Sequence, residues 1–130
     1  MELKKIVEKK YLGIIFVLVS VIVIDARQII MKQGINQLGG IDFSSGIING
    51  FLVVLTNNYV LLGVILSVFG TIAWLLALSK APLSFAYPML SIGYVFVSIF
   101  SGIFFNEVLS SLRLFGLGII VGGVFLLSRT

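Results

Sequence analysis

The chain has 130 residues, of which 59% are hydrophobic and only 11% charged. A soluble domain of this size exposes too much of its area to hide so much apolar surface, so the composition excludes a water-soluble globule and makes the bilayer the solvent. The net charge of +4 comes without Cys or His, which rules out disulfides, thiolate chemistry, haem and ordinary zinc sites.

Lys4, Lys5, Lys9 and Lys10 form a basic cluster ahead of the first apolar run. It reads as a cytoplasmic anchor that also attracts anionic lipid heads, and not as a nucleic-acid patch. The run from Tyr11 is followed by Asp25, Arg27 and Gln28 with no small-residue cleavage site. It therefore reads as an uncleaved first transmembrane segment, roughly Tyr11 to Gln33, long enough to cross ~30 Å.

A polar, Gly-bearing loop from Gly34 to Ser45 comes next, and from Phe43 to Ser79 there is no charge at all. That stretch is too long for one straight helix, and Thr56, Asn57 and Asn58 are its best break. Gly46 to Leu55 is too short to span; it lies at the interface or extends the second helix. The second span is predicted over Tyr59 to Ser79. Lys80, Ala81 and Pro82 make a tight turn, with Pro82 suited to the first turn of a helix. The third span runs from Leu83 to Phe105 and is bent or loosened by Pro88. After Asn106, Glu107, Ser110 and Ser111, the fourth covers Leu112 to Ser128. The expected architecture is all-α, a single domain over residues 1–130 forming an integral membrane bundle of four transmembrane helices. An even number of spans puts Lys4, Lys5, Lys9, Lys10, Lys80 and Arg129 on one side, and Arg113, with Lys32 a further candidate, on the other beside Asp42 and Glu107, so both termini are predicted to be cytoplasmic.

Charge at membrane depth costs at least ~3 kcal/mol per residue, which makes Asp25 and Arg27 the leading functional candidates. Asp25, Gln28 and Lys32 are spaced i, i+3, i+7 and share one helical face. Such a stripe either faces a central cavity or forms a salt-bridge network that only holds helices together; Lys32 also has the option of snorkelling to the surface. Arg27 points ~200° round from Asp25, toward a partner chain or a lipid phosphate. Trp74, Tyr87 and Tyr94 are candidates for lining a substrate path, against ordinary packing. Gly118 and Gly122 form a GxxxG pattern flanked by Gly116 and Gly123, which suits dimerisation through the fourth helix or packing against Ser98 and Gly102 of the third. Glu107 reads as a solvated loop carboxylate. No nucleophile–base pair, P-loop or metal cluster appears in the sequence, so neither an enzyme nor a cofactor is expected.

The run from Trp74 to Val97, WLLALSKAPLSFAYPMLSIGYVFV, resembles small four-helix members of the drug/metabolite transporter superfamily. It is most similar to the subunits of the flippase that moves aminoarabinose linked to undecaprenyl phosphate. The features that carry the resemblance are Trp74, Pro82, the Ala86–Ser91 core, Gln28 with Lys32, and Asn106-Glu107 ahead of Ser111-Leu112-Arg113. The small multidrug-resistance proteins are similar in size, but their hallmark Glu stands eight residues before a Lys, where this chain has Ile24. Arg27 also departs from the family, which tends to have a small residue there.

The resemblance implies a dimeric inner-membrane transporter, as a homodimer or with a related small membrane protein. Its substrate would be a polyprenyl-phosphate-linked sugar or a similar lipid with a charged headgroup. Lys32 or Arg27 would meet the phosphate, Asp25 an amine, and Tyr87 would line the path. The alternatives are a proton-coupled exporter of small cations using Asp25, and an accessory subunit of a glycosyltransferase complex.

Overall fold

The computed structural model describes the backbone of residues 2–129 and the side chains of residues 8, 11–127 and 129. The side chains of the expected anchor, Lys4, Lys5, Lys9 and Lys10, lie outside the described set. The chain is all-helical: α1 (Glu2–Gln37), α2 (Ile47–Leu55), α3 (Asn58–Leu78), α4 (Leu83–Phe105) and α5 (Ser111–Ser128). Three helices are long and apolar enough to cross a bilayer, at Tyr11–Gln37, Asn58–Leu78 and Leu83–Phe105; the apolar stretch Ser111–Leu127 is shorter.

α1 is one helix of 36 residues, about 54 Å at ~1.5 Å per residue. It overruns the expected end at Gln33 by one turn, because the single Gly34 is tolerated inside the helix where it packs on Asn57 and Val60. It stops where Gly39 and Gly40 take positive φ, and their N–H groups return to Asn36 and Ile35 carbonyls at 3.1 Å. This is a glycine-dependent C-terminal stop. Asp42 then accepts hydrogen bonds from the Ser44 N–H at 2.8 Å and Oγ at 2.9 Å. Those two bonds hold its carboxyl below the usual carboxylate range.

The break falls at Thr56–Asn57, with Asn58 already in α3, and Gly46–Leu55 resolves into a separate helix, Ile47–Leu55 capped by Gly46, rather than an extension of α3. At nine residues, α2 reaches about 13 Å and cannot span. Asn57 caps α3 by accepting from the Tyr59 N–H at 2.9 Å and the Val60 N–H at 3.3 Å. Its amide also donates to Gln37 Oε1 at 3.3 Å, tying the start of α3 to the end of α1.

α1 and α3 form the central antiparallel pair. Glycines set their separation: a Cβ on Gly34 would lie 2.6 Å from Asn57 Oδ1, one on Gly70 3.3 Å from Val23, and one on Gly63 would collide with Met31. In lipid, where apolar burial between helices gives no drive, such close approach is what gains contact energy. At the other end, Gly13 sits against Lys80 and Ala81, which fixes the α3–α4 turn beside the start of the α1 span. The small core there is Val17, Val21, Ala77 and Ala86. Pro82 is the N-cap of α4 and Pro88 lies inside it.

α5 packs on α4. Added Cβ atoms on Gly116, Gly118, Gly122 and Gly123 would meet nothing within 4 Å, so these glycines do not pack against Ser98 and Gly102. Most large apolar side chains point outward, Phe115 and Leu112 among them, as a lipid-facing surface requires.

Candidate functional site

The predicted polar residues of α1 fall into three environments on two faces. Asp25 turns toward α4 and is only 9% exposed. It faces Gly93, where a Cβ would come within 2.6 Å of Oδ2, so the carboxylate occupies the space a side chain would have taken. Oδ2 is buried with no hydrogen-bond partner among the described residues. An orphaned buried oxygen is rare and costly to keep.

Arg27 turns toward α3. Its Nη1 donates to Ser67 Oγ at 3.2 Å, and Ser67 Oγ donates in turn to the Gly63 carbonyl at 2.8 Å. Arg27, Ile24, Ser67, Thr71 and Trp74 line a cavity of about 160 Å³. Trp74 meets Tyr87 edge-to-face, with ring centroids 5.5 Å apart. The structure therefore joins Arg27 and Trp74 in one cleft and sets Tyr87 at its aromatic margin. Tyr94, 62% exposed, lines neither cavity.

Gln28 and Lys32 turn toward α4 and the α4–α5 loop, where a second cavity measures about 320 Å³. Its polar lining also includes Ser98, Ser101, Glu107 and Arg113. Lys32 Nζ lies 3.3 Å from Glu107 Oε1, and 6.0 Å from the centroid of the Phe105 ring. The shared face of Asp25, Gln28 and Lys32 thus divides along its length: Gln28 and Lys32 open into the cavity, while Asp25 is sealed under Gly93.

Glu107 and Arg113 were not singled out as site residues by sequence. Glu107 follows Asn106, which adopts the left-handed conformation at φ 52° and ψ 33° and ends α4. Asn tolerates that region, and the reversal carries Glu107 back over α1. The recognisable signal was Asn106 itself, a residue suited to a left-handed helix stop. Arg113 follows from Ser110, whose Oγ accepts from the Arg113 N–H at 3.3 Å and caps α5.

No model of a protein family and no solved structure matches the chain. Known proteins do. The chain is 33% identical over 121 residues to the "Probable 4-amino-4-deoxy-L-arabinose-phosphoundecaprenol flippase subunit ArnF" of Erwinia tasmaniensis, covering 89% of this chain and 94% of that one. It is 30% identical over 125 residues to the ArnF subunit of Photorhabdus laumondii, covering 90% and 97%. To the ArnE subunit of Pseudomonas fluorescens it is 40% identical over 60 residues, which spans 46% of this chain and 53% of that protein.

Proposed function

We propose a lipid-flipping function for this chain, which belongs to the family of 4-amino-4-deoxy-L-arabinose-phosphoundecaprenol flippase subunits. It is a multi-pass membrane protein that moves a polyprenyl-phosphate-linked sugar, or a similar lipid with a charged headgroup, across the inner membrane. The near-full-length similarity to ArnF carries this reading. The cavity beside Lys32 supports it, because cations at the end of an apolar bundle suit a phosphate whose lipid tail stays in the bilayer.

The finer reading is a single domain over residues 1–130, with α5 as the fourth span of the bundle and both termini cytoplasmic. Relatives named as two different small subunits, ArnE and ArnF, support pairing with a second small chain over a homodimer. The open glycine face of α5 is the proposed seam. Lys32, with Gln28 beside it, meets the phosphate at one end. Arg27 and Trp74 form a second polar station, and Tyr87 borders the path; Tyr94 lies on the outer face, toward lipid or the partner. Asp25 is a deeper acceptor, about 10 Å along α1 from Lys32 at ~1.5 Å per residue. It becomes accessible only when α4 moves off it, as alternating access between packed helices requires.

The buried carboxylate of Asp25 favours one other reading, proton-coupled export of small cations. A single experiment separates the two. Purified chain bearing both Arg27→Gln and Lys32→Gln is tested by native mass spectrometry against a polyprenyl phosphate and a lipophilic cation. Loss of the phosphate lipid with the cation unaffected is the expected result. Unchanged phosphate-lipid binding would overturn the assignment.

A further inference from the structure

Three charged side chains from separate parts of the chain converge on the larger cavity: Lys32 of α1, Glu107 of the α4–α5 loop and Arg113 in the first turn of α5. The convergence is built by local structure. The left-handed Asn106 turns Glu107 inward, and the Ser110 cap fixes the turn that carries Arg113. Only one pair is closed, Lys32 Nζ to Glu107 Oε1 at 3.3 Å. Those two side chains are 50% and 37% exposed, so the pair is weakly held. Arg113 has no acidic partner among the described residues. Resting, the cavity therefore holds one free cation and one labile ion pair.

An entering phosphodiester finds the Arg113 guanidinium, whose planar fork suits two phosphate oxygens, and draws Lys32 toward itself. Glu107 then loses its partner. Its carboxylate then stands beside the anionic phosphate with no cation of its own, a like-charge pairing that another cation relieves. A headgroup that carries its own primary amine supplies that cation; one bearing only hydroxyls does not. Asp25 cannot do this at the same place, because it lies under Gly93 and does not line the cavity.

We propose that Glu107 is the specificity-determining residue of this cavity, exchanging Lys32 for a primary amine on a headgroup whose phosphodiester is held by Lys32 and Arg113. An amino sugar joined to a lipid phosphate is what the relatives are named for; the new assignment is the residue that reads its amine. This rests on the lipid-linked sugar reading above and deepens it.

The test uses the full-length chain in lipid nanodiscs and two probes. One is the farnesyl phosphodiester of 4-amino-4-deoxyarabinose, the other the same phosphodiester of arabinose. Unaltered protein is expected to prefer the amino probe by about tenfold or more, the usual scale for a charge-assisted contact. Glu107→Gln should bring the ratio to about one with the arabinose probe bound at least as tightly, since no carboxylate then needs a partner. Glu107→Asp should keep part of the preference. Lys32→Gln and Arg113→Gln should each weaken both probes. A full preference surviving in Glu107→Gln, or no preference in the unaltered chain, overturns the role of Glu107 and leaves the flippase reading intact. Binding of neither probe to the unaltered chain overturns both.

Discussion

A methyl group has no room at position 93, where it would sit 2.6 Å from Asp25 Oδ2 and 2.8 Å from Oδ1. Both atoms belong to a short side chain already enclosed, so the helices must separate or the carboxylate must rotate. Gly93→Ala is expected to cost about 1–3 kcal/mol of stability, read as a lowered unfolding temperature in detergent. Gly118→Ala, with nothing near its added methyl, is the control and should be close to neutral. Asp25→Asn is expected to abolish transport in a vesicle assay while inserting and folding normally; full transport would remove Asp25 from the mechanism. Asp25 stood out in the sequence because ionisable groups at that depth are expensive to keep. Glu107 did not, because a loop carboxylate next to a helix end looks solvated until the chain reversal at Asn106 is known. Arg27 was visible as a charge, but its partner Ser67 lies 40 residues away, and only the α1–α3 packing brings them together.

Helix by helix, the sequence was most informative where a polar residue had a local job. Asn57 and Asn58 marked the start of α3 because an Asx side chain caps free N–H groups, and Leu83–Phe105 is bounded by Pro82 and Asn106. Asn57→Ala should cost about 1 kcal/mol and loosen the tie to Gln37, measured by hydrogen exchange at Tyr59 and Val60. The end of α1 was less legible, since Gly34 reads as the start of a loop and only its packing on Asn57 and Val60 explains a glycine inside the helix. The role of the α5 glycines was undecidable from spacing, which suits a neighbour in the same chain as well as one in another. The empty space around Gly118 and Gly122 points outward. Replacing both by Leu should leave the isolated chain folded and remove pairing with a second subunit, seen as loss of the larger species by native mass spectrometry in detergent. A misfolded single chain would instead argue for contacts within the chain.

For the molecule as a whole, the hairpins set which residues share an end of the bundle. Lys80 lies beside Gly13, and Glu107 reaches Lys32 at the far end of the same helix. Basic residues collect at the end holding Lys80, so reporter fusions at the C-terminus are expected to read cytoplasmic only; a dual signal would point to two opposed copies. The bundle is also uneven in height. α4 has 23 residues and α5 has 18, about 35 Å against about 27 Å at ~1.5 Å per residue. With α5 as the proposed fourth span, a hydrocarbon core of ~30 Å would overhang it, and lipid answers such a mismatch by thinning. The α5 flank would then be a dimple in the bilayer, next to the cavity that holds Arg113. A polar headgroup passing there has less hydrocarbon to cross, so transport should run faster in vesicles of shorter acyl chains and slow as the chains lengthen.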